Sequence, residues 1–224
     1  MRTFFLSLLT LVGSCCLQAQ TAKECFLKMP EEFFPYLTAT NRADMPDFLS
    51  SNMQAKVKNR FDEQTQMLQL TDDYLSMMPD SASLFQIKLL PLENGQRIIA
   101  MAYTLKGPAA DSDLSFYTTE WKKLPADSYF QRPSADDFFL PEDSLVQAGI
   151  SSADSLERNN AYRTYREASF MEYIFSAGSN ELQIVPSLEL YLDEESRPRV
   201  LKYIRKSPLT WVWKNGRFER KGIE

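Results

Sequence analysis

The chain has 224 residues, 44% hydrophobic and 25% charged, with a formal net charge of −5 and a pI near 5.0. This is a globular composition and excludes collagen-like, coiled-coil and disordered readings. The sequence has no histidine and only 7 glycines, which removes histidine-based triads, histidine-ligated metals and glycine-built phosphate cradles.

Met1-Arg2 supplies a short positive start, and Phe4 to Val12 is an apolar run. At roughly ten residues the run suits a secretory signal and is too short to span a bilayer. Two endings compete. Leu17-Gln18-Ala19 before Gln20 predicts cleavage after Ala19, although Leu17 is larger than the small residue preferred there. Val12-Gly13-Ser14-Cys15 resembles a bacterial lipobox, in which Cys15 would be lipidated and become the mature N-terminus. Residues 1–19 are read as a signal peptide. Their removal takes away Arg2, so −5 becomes −6. An acidic domain without a basic run repels phosphate backbones, which argues against nucleic acid as a partner. After that cleavage Cys25 remains alone, so no internal disulfide is expected.

Thr21 and Glu24 form a capping box that opens a helix, with Ala22, Cys25, Phe26 and Met29 on one apolar face and Pro30 as its stop. Cys25 reads as a buried, inert thiol. A second short helix is expected near Asp44, with Pro46 in its first turn. Alternation then marks parts of 57–61, 67–70 and 74–78. Clear strands follow at Leu84–Leu90 and Arg97–Leu105, joined through Asn94-Gly95, a hairpin signal in which both central residues adopt positive φ. Leu114–Thr119 is the next strand, ending at Trp121. Residues 125–141 carry Pro125, Pro133 and Pro141 and read as a linker. Helices are expected over Pro141–Ala148 and Asp154–Glu167. Strands return at Phe170–Phe175, Leu182–Val185, Leu188–Leu192, Val200–Arg205 and Leu209–Trp213. The last turns through Asn215-Gly216 into Arg217-Phe218.

The fold class is α+β: short N-terminal helices followed by an antiparallel β-meander. The organisation is a signal peptide (1–19), a helix-and-meander unit (20–124), a linker (125–141) and a second helix-and-meander unit (142–224). Asp73-Tyr74-Leu75 ahead of Leu84-Phe85-Gln86-Ile87 is echoed by Glu172-Tyr173-Ile174 ahead of Leu182-Gln183-Ile184. Each half closes on a tryptophan, Trp121-Lys122 and Trp213-Lys214. Duplication and the generic likeness of two meanders both account for this pattern.

Acidic residues recur as Asp72-Asp73, Asp111 with Asp113, Asp136-Asp137 and Asp193-Glu194-Glu195. None has the alternating form of a calcium loop, so they read as solvated turns and caps. Two of them meeting in space would make an acid–base pair of the glycosidase kind. No Ser-x-x-Lys and no nucleophile elbow occurs. Trp211 and Trp213 share a strand face, with Tyr191 and Tyr203 expected on neighbouring strands. They read either as core or as an exposed aromatic platform for a glycan or protein. No catalytic residue, metal ligand or cofactor is assigned, and the binding residues stay unassigned.

Asn41-Arg42-Ala43-Asp44 followed by Asp47-Phe48, then Thr71-Asp72-Asp73-Tyr74-Leu75, Leu89-Leu90-Pro91-Leu92, and Phe116-Tyr117 before Trp121 form a distinctive set. Together they resemble a family of exported proteins of unknown function from Bacteroidales. The resemblance implies an envelope or surface setting and carries no activity with it. The reading is an exported, non-catalytic binding module of the bacterial envelope, in the periplasm or at the cell surface, with a protein or glycan partner. The alternatives are a carboxylate-dependent hydrolase and a structural lipoprotein anchored at Cys15.

Overall fold

The computed structural model describes residues 20–147, 149 and 155–222; the signal peptide and the lipobox lie outside the described residues. The chain is α+β. Helix α1 (Ala22–Leu27) starts as its sequence dictates: the Thr21 hydroxyl accepts from Glu24 N, and Thr21 N donates to the Glu24 carboxylate. Helix α2 (Ala39–Ser50) starts earlier than expected, because Thr38 caps it by accepting from Asn41 N. Pro46 therefore lies inside the helix, where it provides no N–H for the Arg42 carbonyl.

Seven strands follow as an unbroken antiparallel meander: β1 (Ala55–Lys58), β2 (Gln64–Leu70), β3 (Tyr74–Met78), β4 (Ser83–Pro91), β5 (Arg97–Lys106), β6 (Ala110–Thr118) and β7 (Lys123–Leu124). Strands β4 and β5 are buried along most of their length because both sheet faces are covered. One face carries Leu75, Met77, Phe85, Ile87, Ile99 and Met101 under α1 and α2. The other carries Tyr74, Leu90, Ile98, Ala100, Leu114 and Phe116.

A second sheet covers that other face. It holds β8 (Met171–Phe175), β9 (Glu181–Pro186), β10 (Leu209–Lys214) and β11 (Arg217–Arg220), in the order β11-β10-β9-β8. Its inner residues, among them Tyr173, Ile184, Trp211, Trp213 and Phe218, join one cluster with the first sheet. Helices α3 (Ala135–Phe138), α4 (Glu142–Gln147), α5 (Ser155–Glu167) and α6 (Ser196–Leu201) add Phe138, Leu145, Tyr165 and Val200 to it. The stretch 125–141 contains a 3₁₀ turn at Ala126–Ser128 as well as α3, and it buries Phe130 and Phe138 in the same cluster.

The seam between the sheets is polar at β8. Gln86 Oε1 accepts from Phe175 N (3.1 Å) and Tyr74 OH (3.1 Å), and its Nε2 donates to Tyr173 O (2.8 Å). Ser112 Oγ accepts from Tyr173 N (2.9 Å), and Asp111 accepts from Met171 N (3.3 Å). The outer N–H groups of an edge strand are thus satisfied by side chains of the facing sheet. Beside them Lys88, fully buried, pairs with Asp73 at 2.8 Å and donates to Ala177 O at 3.5 Å.

Two expected strands are not strands. Leu188–Leu192 is a turn: Leu192 N bonds Leu188 O, both leucines are buried, and Leu190 and Tyr191 between them are exposed. Val200–Arg205 begins as the end of α6. Asp193 accepts from Glu195 N and Ser196 N, and Arg197 ties back to the carbonyls of Glu189 and Leu192. These local bonds override the strand preference of Val200 and Ile204. The two Asn-Gly turns also differ. Asn215 and Gly216 both have positive φ, as expected. At the first, only Gly95 does (φ +78°), and its N–H bonds Leu92 O, making a three-residue loop with a bulge at the glycine.

Candidate binding groove

The β4–β5 hairpin and the β6–β7 turn project side by side past the same end of the first sheet. The hairpin presents Asn94, Gln96 and Arg97 above Leu92 and Ile98. The turn presents Thr118, Thr119 and Glu120, with Leu124 beyond. Gln20, just before α1, and Tyr129, just after the 3₁₀ turn, complete an open groove of about 850 Å³.

The β6–β7 turn is held rigidly. Trp121 adopts φ +63°, a left-handed conformation that costs a bulky residue about 1–2 kcal/mol. Its ring compensates. Trp121 Nε1 donates to Cys25 O at 2.9 Å, and the indole packs on Phe33 and Tyr117. The Thr118 hydroxyl accepts from Glu120 N and Lys122 N inside the same turn. The sequence reads Trp121 as a strand end; the structure makes it a turn residue with positive φ. The positive φ makes it the corner that aims Thr119 and Glu120 toward the groove.

On the opposite wall Tyr129 stacks on Phe116, with centroids 5.2 Å apart, and on Trp213. Trp213 is itself fixed by its Nε1 donating to Pro91 O at 2.7 Å. Arg97 donates to Gln20 O at 3.5 Å, whereas Gln20 Oε1 is buried and accepts from no group among the described residues. The wall therefore offers mostly neutral hydrogen-bonding groups over an apolar floor, with one guanidinium and one carboxylate.

The acids named from the sequence lie outside the groove, and most of them are engaged in holding the fold. Asp73 pairs with Lys88, and Asp111 with Arg132 at 3.5 Å. Asp113 accepts from Ser115, Asp136 from Tyr162 (2.6 Å), and Asp137 from Arg220 and Ser134 N. Asp193 caps the approach to α6, and the N–H of Ser196 holds its carboxyl below the usual range. Among the described residues no three His, Cys, Asp or Glu side chains group as metal ligands. Cys25 is buried on α1, and burial pushes its thiol up to about 11.

The aromatic platform resolves as core. Trp211, Trp213 and Tyr203 are buried, and Tyr203 lies beyond α6, outside any strand. Tyr191 alone of the four is exposed, in a turn against Phe170.

Over residues 14–218 the sequence matches the family described as protein of unknown function (DUF3256). The chain belongs to that family. A structure similar to this DUF3256 chain is that of a domain of an uncharacterized protein from Porphyromonas gingivalis W83. The two share 27% identity and a TM-score of 0.76, over 91% of this chain and 100% of that one. No curated protein matches. Several of the residues that carry the sequence resemblance tie this chain's fold together. Asn41 donates to Lys58 O, Arg42 to Met29 O, Asp73 holds Lys88, and Pro91 receives Trp213.

Proposed function

We propose that the protein is an exported, non-catalytic binding module of the bacterial envelope that holds a protein segment or glycan in the groove between the β4–β5 hairpin and the β6–β7 turn. The observation that carries this reading is the groove's chemistry. Asn94, Gln96, Thr118 and Thr119 supply neutral donors and acceptors above Leu92, Ile98 and Tyr129, the mixture of apolar floor and few polar groups that binding clefts use. The rigid corner at Trp121 supports it further, because strained backbone concentrates where geometry serves a purpose. Export is supported by the apolar segment after Arg2.

Glycan and peptide arrays probed with the full chain test the proposal, with each hit confirmed by saturation-transfer NMR. Thr119→Trp fills the groove from its rim without touching the core and weakens binding about tenfold or more, which corresponds to about 1.4 kcal/mol. Binding that survives this substitution, or turnover of the bound compound, overturns the reading. Fractionation of cells making the full chain and its Cys15→Ser variant tests the location. Cytoplasmic retention of both would remove export, and membrane association lost only in the variant would establish the lipid anchor.

A further inference from the structure

We infer that the turn between β9 and α6 is a docking surface: Leu190 and Tyr191 form an apolar knob, set among exposed acids, that seats on a cationic amphipathic segment of a partner protein. None of these residues lines the groove, so the knob is a second surface and does not depend on what the groove holds.

Leu188-Glu189-Leu190-Tyr191-Leu192 carries four large apolar residues in five positions. Leu188 and Leu192 are buried in the cluster between the sheets. The two between them face solvent, Leu190 at 70% exposure and Tyr191 at 56%. They are kept there because the turn is tied from both sides. Tyr191 N bonds Leu188 O at 3.0 Å, and Ser187 N bonds Phe170 O at 3.1 Å. Arg197 donates to the carbonyls of Glu189 (3.0 Å) and Leu192 (3.1 Å). The Tyr191 ring meets Phe170 edge-on with centroids 5.0 Å apart, which widens the apolar surface. Adjacent large apolar side chains held out in water mark an interaction site, and a backbone already fixed loses little freedom when a partner docks.

The charges around the knob define its occupant. Glu189, Asp193, Glu194 and Glu195 are all exposed beside it. Arg197 is spent on backbone carbonyls, and Arg199 pairs with Glu195 at 3.1 Å. Glu189 and Glu194 therefore keep their charge without an ion-pair partner among the described residues. Such acids draw lysine and arginine toward the knob and oppose its approach to an anionic membrane. Leu190 calls for aliphatic side chains rather than a sugar face. A helix with leucine-type residues on one side and lysines or arginines flanking them meets both demands.

The full chain, isotope-labelled, is titrated with a synthetic amphipathic helix of leucine and lysine and with its leucine–glutamate counterpart, followed by NMR. The leucine–lysine helix is expected to shift the resonances of residues 188–195, and the glutamate helix to leave them in place. Leu190→Ser and Tyr191→Ser should each weaken binding about tenfold or more while near-ultraviolet circular dichroism stays unchanged, which is the mark of a surface loss. Glu189→Gln combined with Glu194→Gln should weaken it as well and flatten its dependence on salt. Thr119→Trp should leave it unaltered, which separates this surface from the groove. Absence of binding, shifts centred on other residues, or equal binding of the glutamate helix overturns the inference. Binding to phosphatidylglycerol vesicles through Leu190, with the leucine–lysine helix ignored, overturns it in favour of a membrane contact.

Discussion

Lys88 shows how much a single buried charge constrains. It points into the seam between the sheets, is fully buried, and meets Asp73 at 2.8 Å, while Asp73 keeps about a third of its side chain in water. Removing the acid strands a buried cation, whereas replacing the lysine with an apolar chain of similar length removes the charge that needed a partner. Asp73→Ala should therefore lower unfolding stability by about 3 kcal/mol, and Lys88→Met by under about 1.5 kcal/mol, measured by urea denaturation. Cys25 sets an alkaline limit. Below its ordinary value of 9.0 both native and unfolded chains keep the thiol proton; between there and about 11 only the native chain does. Stability should fall as pH rises through that window, and Cys25→Ala should flatten the fall in urea midpoints. The burial of Cys25 was legible from the helical spacing of Ala22, Cys25 and Phe26. The role of Asp73 was not, because its partner lies on another strand and a doubled aspartate in a turn looks like any solvated pair. Trp121 is illegible for a related reason: its conformation follows from a bond to Cys25 O, a contact across most of the first half of the chain.

Among the elements, β8 shows what the sequence conceals. Its alternation was readable, and so was its pairing with β9, but its other edge is satisfied by Gln86, Ser112 and Asp111 from strands far earlier in the chain. Gln86→Leu should leave Phe175 N and Tyr173 O without partners, remove the acceptor of the Tyr74 hydroxyl, and cost about 2–6 kcal/mol for the two backbone groups, at about 1–3 kcal/mol per unpaired buried group. Native-state hydrogen exchange should show the Phe175 amide losing protection while amides of β10 keep theirs. The hairpins and most strands could be read locally because Asn-Gly turns and period-two burial are local properties. Helix α6 could have been found as well, from Asp193 three residues before Ser196 and Pro198 in the first turn. Apolar Val200, Tyr203 and Ile204 instead suggested a strand, and hydrogen bonds from Arg197 to two carbonyls decide for the helix. The groove lay beyond this kind of reading. Gln20, the residues around Asn94, those around Thr119, and Tyr129 become neighbours only once the meander has brought its hairpin and turn to one end.

The molecule as a whole has its larger hydrophobic cluster between the two sheets, and residues from Tyr74 to Phe218 share it. Cutting the chain at residue 124 would expose the face bearing Leu90, Ile98, Leu114 and Phe116. Residues 20–124 alone should therefore lack the near-ultraviolet circular dichroism of a packed core and bind a hydrophobic dye, while the full chain unfolds in one transition by both fluorescence and far-ultraviolet signals. The sheet margins carry a further consequence. Strand β1 is short and carries Lys56 and Lys58, β7 has two residues, β11 is lined by Arg217, Glu219 and Arg220, and the outward amides of β8 are already taken. An incoming polypeptide with free backbone groups finds no bare ladder to extend on any of these borders. Crowding at high concentration should then drive this protein toward reversible clustering rather than toward fibres.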